Sequence, residues 1–297
     1  MKNMKTNNLF NPKTISLALL MTVAVVVSCK KNNNSTPAIE QNSSSALTKE
    51  EKTAIAKAGF STNLVVKTDG GYLVEGDIFL TPADLQLQQD FVAGLTGNGP
   101  KTEQYRTTNL VTGLPRVIKI KVDAGTSQTV FTNATTEAIK RYNDQGLKLS
   151  MKLLSSTSTE KADIVINGAD LGKSPSGGTI LGRSAGFPTG GNPATPIKLS
   201  SVVYNKDYKN NNVLATVIAH EIGHAIGFRH TDYADRTYSC GFDKDPNEGD
   251  GGVGAIYIPG TPKGGEPGSF MLACSDGTNR PFTTSDILAL KTLYPVK

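Results

Sequence analysis

Three histidines give the clearest chemical signal in the sequence. They are the only histidines of the chain, and His220, His224 and His230 lie within eleven residues. His220 and His224 are four residues apart, so on a helix their imidazoles are neighbours and can bind one metal ion. Glu221 follows the first histidine, a position from which a carboxylate reaches a metal-bound water rather than the metal. The pattern therefore predicts a zinc site with a base beside it.

His230 can join the other two histidines only if the helix ends between them. Ten residues of continuous helix would carry it about 15 Å from His220, whereas a zinc–nitrogen bond is about 2 Å. Gly227 lies in this interval, and glycine readily adopts the left-handed conformation that ends a helix and reverses the chain. We therefore expect a three-histidine site with an open fourth position.

A zinc site of this kind predicts hydrolytic chemistry. Zinc lowers the pKa of its bound water toward 7 and polarises a carbonyl, while Glu221 can accept the water proton and pass it to a leaving amine. That combination is peptide hydrolysis without a covalent intermediate. One alternative is an ordinary helix with solvated histidines and a salt-bridging glutamate. A structural zinc site is another, and it would need a fourth protein ligand, for which Cys240 is the nearest choice.

The helix that carries the histidines has an apolar face. Leu214, Ile218, Ile222 and Ile226 recur every four residues, and Asn212 can cap the start of the helix. We expect this face to pack against a sheet and the histidines to project from another side into a cleft. The order of elements predicts an α+β fold. The other expected elements are strands at 116–123, 147–154, 162–167 and 196–204, a helix at 135–145, and a capped final helix at 283–294.

The extended motif resembles that of the metzincin metallopeptidases, and His220-Glu221-Ile222-Gly223-His224 resembles the signature of the bacterial dual-action HEIGH metallopeptidase family. The resemblance covers about residues 60 to 297. It implies an α+β, metzincin-like catalytic domain with a twisted mixed sheet, an active-site helix and a C-terminal helix. It also implies protein or peptide substrates that add as strands to an exposed sheet edge, for which 181–187 is the candidate.

The same resemblance assigns a role to Met271. Metzincins place a methionine in a tight turn beneath the zinc, and Met271 in Ser269-Phe270-Met271 is the matching position. It would be a platform and not a ligand, and the alternative is a core methionine. Some metzincins place a tyrosine soon after the methionine, whereas Leu272-Ala273-Cys274 follows here, so the tyrosine role stays unassigned.

A second resemblance concerns Val74-Glu75-Gly76-Asp77. Propeptides of the astacin branch carry a Phe-x-Gly-Asp segment whose aspartate occupies the open zinc position and keeps the enzyme latent. Asp77 would be that zinc ligand here, although Val74 replaces the phenylalanine. The alternative is a hairpin with a solvated aspartate. We therefore predict a pro-segment-like module at 60–105 and a metallopeptidase catalytic domain at 106–297.

The N-terminus resembles an export signal. Three lysines precede an apolar run at 15–27, which at 13 residues is shorter than the about 20 residues that span a membrane. Val26-Val27-Ser28-Cys29 resembles a bacterial lipobox, in which the cysteine is acylated. We expect a lipoprotein signal peptide at 1–28, a tether at 29–59 and a lipid anchor at Cys29 in the bacterial outer membrane. An ordinary signal peptide with an incidental cysteine, and hence secretion, is the alternative.

The remaining cysteines and the charges limit other functions. Cys240 and Cys274 form an even pair in an exported chain, which predicts a disulfide, with free thiols or extra metal ligands as the alternative.

Without the three leader lysines the chain has 28 basic and 26 acidic residues, a balance that gives no nucleic-acid footprint. The acidic, glycine-rich segment 243–252 is expected to be a solvated loop, and a calcium site built from its carboxylate and carbonyl oxygens is the alternative.

Together these features predict a secreted or surface-anchored zinc-dependent endopeptidase with Glu221 as general base. A catalytically inactive, zinc-containing surface binding protein is one alternative. A lipid-anchored surface protein with a purely structural metal site is another. Glu221 argues against both, because neither needs a base beside the metal.

Overall fold

The computed structural model describes residues 46–58, 60, 62, 65–86, 89, 104–174, 177–241, 248, 255–262 and 265–297. The predictions for the signal peptide at 1–28, for Cys29 and for the tether up to residue 45 lie outside these residues. So does the segment at 243–252, expected to be a solvated loop or alternatively a calcium site, apart from Glu248. Among the described residues, no helix is long and apolar enough to cross a membrane.

A small module opens the described chain. Helix α1 (Lys49–Lys57) begins after Thr48, whose Oγ1 accepts a hydrogen bond from the Glu51 backbone at 3.2 Å, while Glu51 Oε2 accepts one from the Thr48 backbone at 2.8 Å. This reciprocal cap satisfies two backbone donors of the first turn. Three antiparallel strands follow in the order β1 (Val66–Thr68), β2 (Gly71–Val74) and β3 (Ile78–Leu80).

The module has an apolar core of its own, which extends it beyond the predicted boundaries. Ile55 of α1 is buried in one cluster with Phe60, Ile78 and Leu80. The predicted tether therefore ends before α1, because a buried face of that helix packs on the strands. Strands β1 and β2 form an antiparallel hairpin, and β3 adds a third strand to it.

A five-stranded mixed sheet is the largest sheet of the described chain. Its strands are β5 (Arg116–Asp123), β6 (Leu149–Leu153), β7 (Ile164–Ala169), β8 (Gly182–Arg183) and β9 (Ile197–Ser200). Their order across the sheet is β6-β5-β7-β9-β8, with parallel pairing except at β8, which is antiparallel to β9 at the edge. In β5, Ile118, Ile120 and Val122 alternate with more exposed residues, which places one face of the strand in the core.

The remaining helices and a two-stranded sheet complete the fold. The helices are α2 (Gln128–Asn143), α3 (Asn211–Ile226), α4 (Thr237–Cys240) and α5 (Thr284–Leu293), and strands β4 (Tyr105–Arg106) and β10 (Ile256–Tyr257) pair antiparallel. The predicted apolar face of α3, at Leu214, Ile218, Ile222 and Ile226, is fully buried, and the helix packs against α2 as well as against β8 and β9. Helix α2 begins about two turns earlier than predicted. The predicted α+β fold is confirmed.

Candidate metal centre

Helix α3 presents the first two histidines and then ends at Gly227. Its N-cap is Asn210 rather than the predicted Asn212, and the Asn210 side chain accepts a hydrogen bond from the Val213 backbone at 3.4 Å. Gly227 has φ of 112°, and a Cβ there would lie 2.7 Å from Leu110 Cδ2. Glycine is therefore required both by the backbone conformation and by the lack of space. The reversal brings His230 back to the helix.

The three imidazoles converge on one point. The Nε2 atom of His224 lies 3.0 Å from that of His220 and 3.2 Å from that of His230, and the third side of the triangle is 3.3 Å. Asp77 Oδ2 lies 3.2 Å from His220 Nε2, 3.0 Å from His230 Nε2 and 3.6 Å from His224 Nε2. The four atoms outline a tetrahedron.

This tetrahedron fits zinc. Ligand atoms about 2.0–2.1 Å from a tetrahedral zinc ion are separated from one another by about 3.3–3.4 Å, close to the 3.0–3.6 Å found between the four atoms. Three imidazole nitrogens and a carboxylate oxygen are also the donor set that zinc accepts. The structure thus brings together the predicted ligands His220, His224 and His230, and Asp77, the expected ligand from the pro-segment, lies at the fourth corner.

The other nitrogen of each imidazole is held by a fixed acceptor. His220 Nδ1 lies 2.8 Å from the Phe270 carbonyl oxygen, and His224 Nδ1 lies 2.8 Å from the Phe228 carbonyl oxygen. His230 Nδ1 lies 2.6 Å from Glu248 Oε1. These acceptors place the proton on Nδ1 and leave the Nε2 lone pair directed at the metal position. Burial also lowers the pKa of His220 to about 4, which keeps its ring neutral and able to bind a metal.

Sequence reasoning missed Glu248, which it placed in a solvated or calcium-binding segment. The side chain is buried, and its contact with His230 joins positions 18 residues apart. A loop contact of this kind leaves no periodic signal in the sequence. Its acidic neighbours instead suggest an exposed segment.

The Glu248 contact predicts an effect on metal affinity. We expect Glu248→Ala to weaken zinc binding by about 10- to 100-fold. A hydrogen bond from the Nδ1 atom of a metal-binding histidine to a carboxylate orients the ring and raises its basicity. Competition with a chromophoric chelator would measure the change. Glu248→Gln is the matched control, since its amide oxygen still accepts from His230 Nδ1, and it should lose less affinity. Unchanged affinity in Glu248→Ala would refute this role.

Glu221 lies beside the metal centre on the same helix. It is buried, and its Oε2 atom has no hydrogen-bond partner among the described residues. Gly182 of the edge strand β8 leaves room for it, because a Cβ at Gly182 would lie 2.3 Å from Glu221 Oε1. Burial, together with the nearby Asp77 carboxylate, raises the pKa of Glu221 well above its ordinary value. The carboxylate is therefore poised to hold a proton.

Met271 lies against the centre of the motif helix. It is fully buried, and a Cβ at Gly223 would lie 2.4 Å from its sulfur atom. The Met271 carbonyl oxygen also accepts a hydrogen bond from the Thr231 backbone at 2.9 Å. The close approach of the Met271 sulfur to Gly223 places the methionine against the helix between His220 and His224. Met271 is not one of the four residues whose ligand atoms form the tetrahedron.

Asp286 of α5 holds the turn that contains Met271. Asp286 Oδ1 accepts a hydrogen bond from Ser269 Oγ at 2.7 Å, and Oδ2 accepts one from the Phe270 backbone at 3.3 Å. The same side chain caps its own helix through Thr283. The C-terminal helix thus fixes the Phe270 carbonyl that orients His220. The sequence indicated only the helix cap.

The segment with Asp77 pairs with the edge of the large sheet. The Ser184 backbone N–H donates to the Asp77 carbonyl oxygen at 3.1 Å, and the Ser184 oxygen accepts from the Phe79 backbone at 3.2 Å. The pairing is parallel at Ile78 and Ser184. The module therefore lies along the edge at 181–187 that was predicted to receive a substrate strand.

Two links join the segment that follows His230 to the segment that follows Met271. Cys240 and Cys274 form a disulfide, as their Cα atoms lie 5.1 Å apart and their sulfur atoms are bonded. Asp232 Oδ1 accepts a hydrogen bond from the Ala273 backbone at 2.9 Å, and Asp232 Oδ2 accepts one from Ser239 Oγ at 2.5 Å. The two cysteines are thus neither free thiols nor additional metal ligands.

Comparison with known proteins gives a match to one family. A family model described as dual-action HEIGH metallo-peptidase matches residues 73–294. No curated protein matches by sequence.

Among solved structures, one of myroilysin has 13% identity and a TM-score of 0.41, and covers 65% of this chain and 99% of that chain. High choriolytic enzyme 1, a hatching enzyme zinc-protease from the medaka fish Oryzias latipes, has 14% identity and a TM-score of 0.31 and covers 61% and 90%.

Proposed function

The chain belongs to the dual-action HEIGH metallo-peptidase family, and from this premise we propose that it hydrolyses peptide bonds with Glu221 as general base and with zinc held by its three histidines. The observation that carries the proposal is the triangle of Nε2 atoms, 3.0–3.3 Å on a side, with Glu221 on the same helix. A purely structural metal site would have no use for that carboxylate.

Each residue then has a distinct task. Bound zinc supplies a Lewis acid that polarises a substrate carbonyl and acidifies a water. Glu221 accepts the proton of the attacking water and returns it to the leaving amine. Met271 packs against the helix that carries His220 and His224. Once the module has left, the Ser184 backbone groups that pair with it bind the main chain of a substrate strand instead. Protein or peptide chains are therefore the substrates.

We further propose that the module around Asp77 is an inhibitory pro-segment. Asp77 Oδ2 lies within 3.0–3.6 Å of all three Nε2 atoms, where it fills the fourth position that a water needs. The same segment covers the backbone edge that a substrate would use. Activity then requires that the module leaves.

The place of action follows from the N-terminal pattern. We propose that the chain is exported and anchored through Cys29, since an apolar run and a lipobox-like sequence precede a polar segment. The mass of the mature N-terminus tests this, and an unmodified Cys29 would leave secretion as the alternative.

A metal and activity assay tests the proposed reaction. The full chain, with and without brief trypsin treatment that is then quenched, is assayed for zinc content and for cleavage of a denatured protein. We expect one zinc per chain and cleavage in the treated sample that a chelator abolishes and added zinc restores. Zinc retained without chelator-sensitive cleavage in either sample would favour a zinc-containing binding protein instead.

A further inference from the structure

An aromatic side chain of the inhibitory module is held between two side chains of the catalytic part, residues 106–297. Phe60 of the module is buried, with only 2% of its surface exposed. Its ring stacks on that of Phe187, with centroids 6.2 Å apart and an angle of 9° between the ring planes. The guanidinium carbon of Arg229 lies 4.9 Å from the centroid of the Phe60 ring. Phe187 and Arg229 therefore form the walls of a pocket that one aromatic ring fills.

The catalytic part holds both walls of this pocket by contacts of its own. The Arg229 guanidinium lies over the buried Tyr233 ring, 4.4 Å from its centroid. The Phe187 ring meets the His224 ring edge to face, with centroids 6.1 Å apart. Arg229 also donates to Glu75 of the module, and this contact is lost when the module leaves. The contacts with Tyr233 and His224 do not involve the module, so the pocket persists without it.

The pocket lies beside the metal centre, at the end of the sheet edge that a substrate strand would use. Phe187 touches the predicted zinc ligand His224, and Arg229 directly precedes the ligand His230 in the chain. Phe187 follows Ser184 by three residues, a span of at most about 11 Å. A peptide that pairs with Ser184 can therefore place a side chain in the pocket within a few residues of the bond that is cleaved.

We infer that Phe187 and Arg229 form a subsite of the activated protein that takes an aromatic side chain of the peptide substrate. The inference rests on the proposed function and names its substrate class. Phe60 occupies this subsite in the uncleaved chain, as Asp77 occupies the fourth metal position. Departure of the module uncovers the Phe187 ring and the guanidinium. An aromatic side chain suits both, because rings stack at such distances and a guanidinium is attracted to the face of a ring.

Cleavage of matched peptides tests the inference. The full chain is treated briefly with trypsin, which is then quenched, and the peptides contain no lysine or arginine. One parent peptide carries phenylalanine at each position around the cleaved bond in turn, and a second series carries cyclohexylalanine instead. Cyclohexylalanine has nearly the same shape, but its ring has no π electrons and does not attract a guanidinium. At one position we expect kcat/KM for phenylalanine to exceed that for cyclohexylalanine about threefold or more.

Two variants assign this preference to the pocket. Phe187→Leu keeps an apolar side chain but removes the ring, and Arg229→Met removes the guanidinium. Each substitution should abolish the preference for phenylalanine, and zinc content verifies that the variant is folded. Tyr238→Leu is the matched control, because it removes an aromatic ring from the same part of the chain at a position that is 47% exposed. The control should keep the preference.

Equal cleavage of both series at every position would overturn the inference. A preference that survives in either folded pocket variant, or that is lost in the Tyr238 control, would do the same, because it would not depend on this pocket. All of these outcomes include chelator-sensitive cleavage by the wild type. They are therefore distinguishable from failure of the proposed function, in which neither series is cleaved and the inference fails with it.

Discussion

Replacing Glu221 with glutamine should reduce proteolysis by about 100- to 10,000-fold, the usual contribution of a general acid–base group. Glutamine has the same shape, so it fits the space that Gly182 leaves, but it cannot accept a proton. The four converging atoms belong to Asp77 and the three histidines and not to Glu221. Zinc content should therefore stay unchanged. Lower activity with unchanged zinc content would identify Glu221 as a general base and not as a metal ligand.

The measurement is the initial rate of cleavage of a denatured protein together with metal analysis. His224→Ala provides the contrast, because loss of a buried ligand should remove both zinc and activity. If Glu221→Gln retained more than about a tenth of the wild-type rate, another group would have to act as base. Loss of zinc from the glutamine variant would instead show that Glu221 helps to hold the metal.

The second large effect is an increase in activity. We expect Asp77→Ala to raise proteolysis by the uncleaved chain by about tenfold or more. If Asp77 stabilises the inhibited state by about 1.4 kcal/mol, its loss increases the fraction of chains with a free fourth metal position about tenfold. Asp77 Oδ2 contacts all three imidazoles, so its loss frees the fourth position. The backbone contacts to Ser184 remain, which limits the increase to less than full activation. The rate of cleavage by intact, unprocessed protein is the readout.

Asp69→Ala is the matched control for Asp77→Ala. Asp69 lies in the same module, at the exposed turn between β1 and β2, and its removal should leave the chain latent. Equal activity of the Asp77 variant and the wild type, with zinc bound in both, would show that Asp77 does not control access. A gain in both aspartate variants would instead indicate general loosening of the module.

The parts of the site that the sequence predicts are those with local spacing. His220, Glu221 and His224 lie on one helix, and Gly227 indicates the reversal that returns His230, so short-range geometry determines them. The start of α2 was missed because four of the five residues at 128–132 are polar or β-branched. This composition weakens the helical signal, although tertiary packing buries Phe131.

Contacts across long separations escaped prediction. Glu75 and Arg229 are 154 residues apart, and Gln104 and Asp286 are 182 apart. Such pairs depend on how modules pack, and no periodicity of one sequence encodes them. Asp77 was recognised only through its resemblance to another propeptide segment. Its fit into the tetrahedron could not be derived from spacing.

The role of Asp286 has a consequence for the timing of biosynthesis. All three histidines leave the ribosome more than fifty residues before Asp286, yet the carbonyl that orients His220 depends on that carboxylate. A nascent chain thus possesses every zinc ligand well before it can arrange them. We therefore expect metal acquisition to follow synthesis of α5, and we expect a chain truncated before Asp286 to bind zinc more weakly than the full chain.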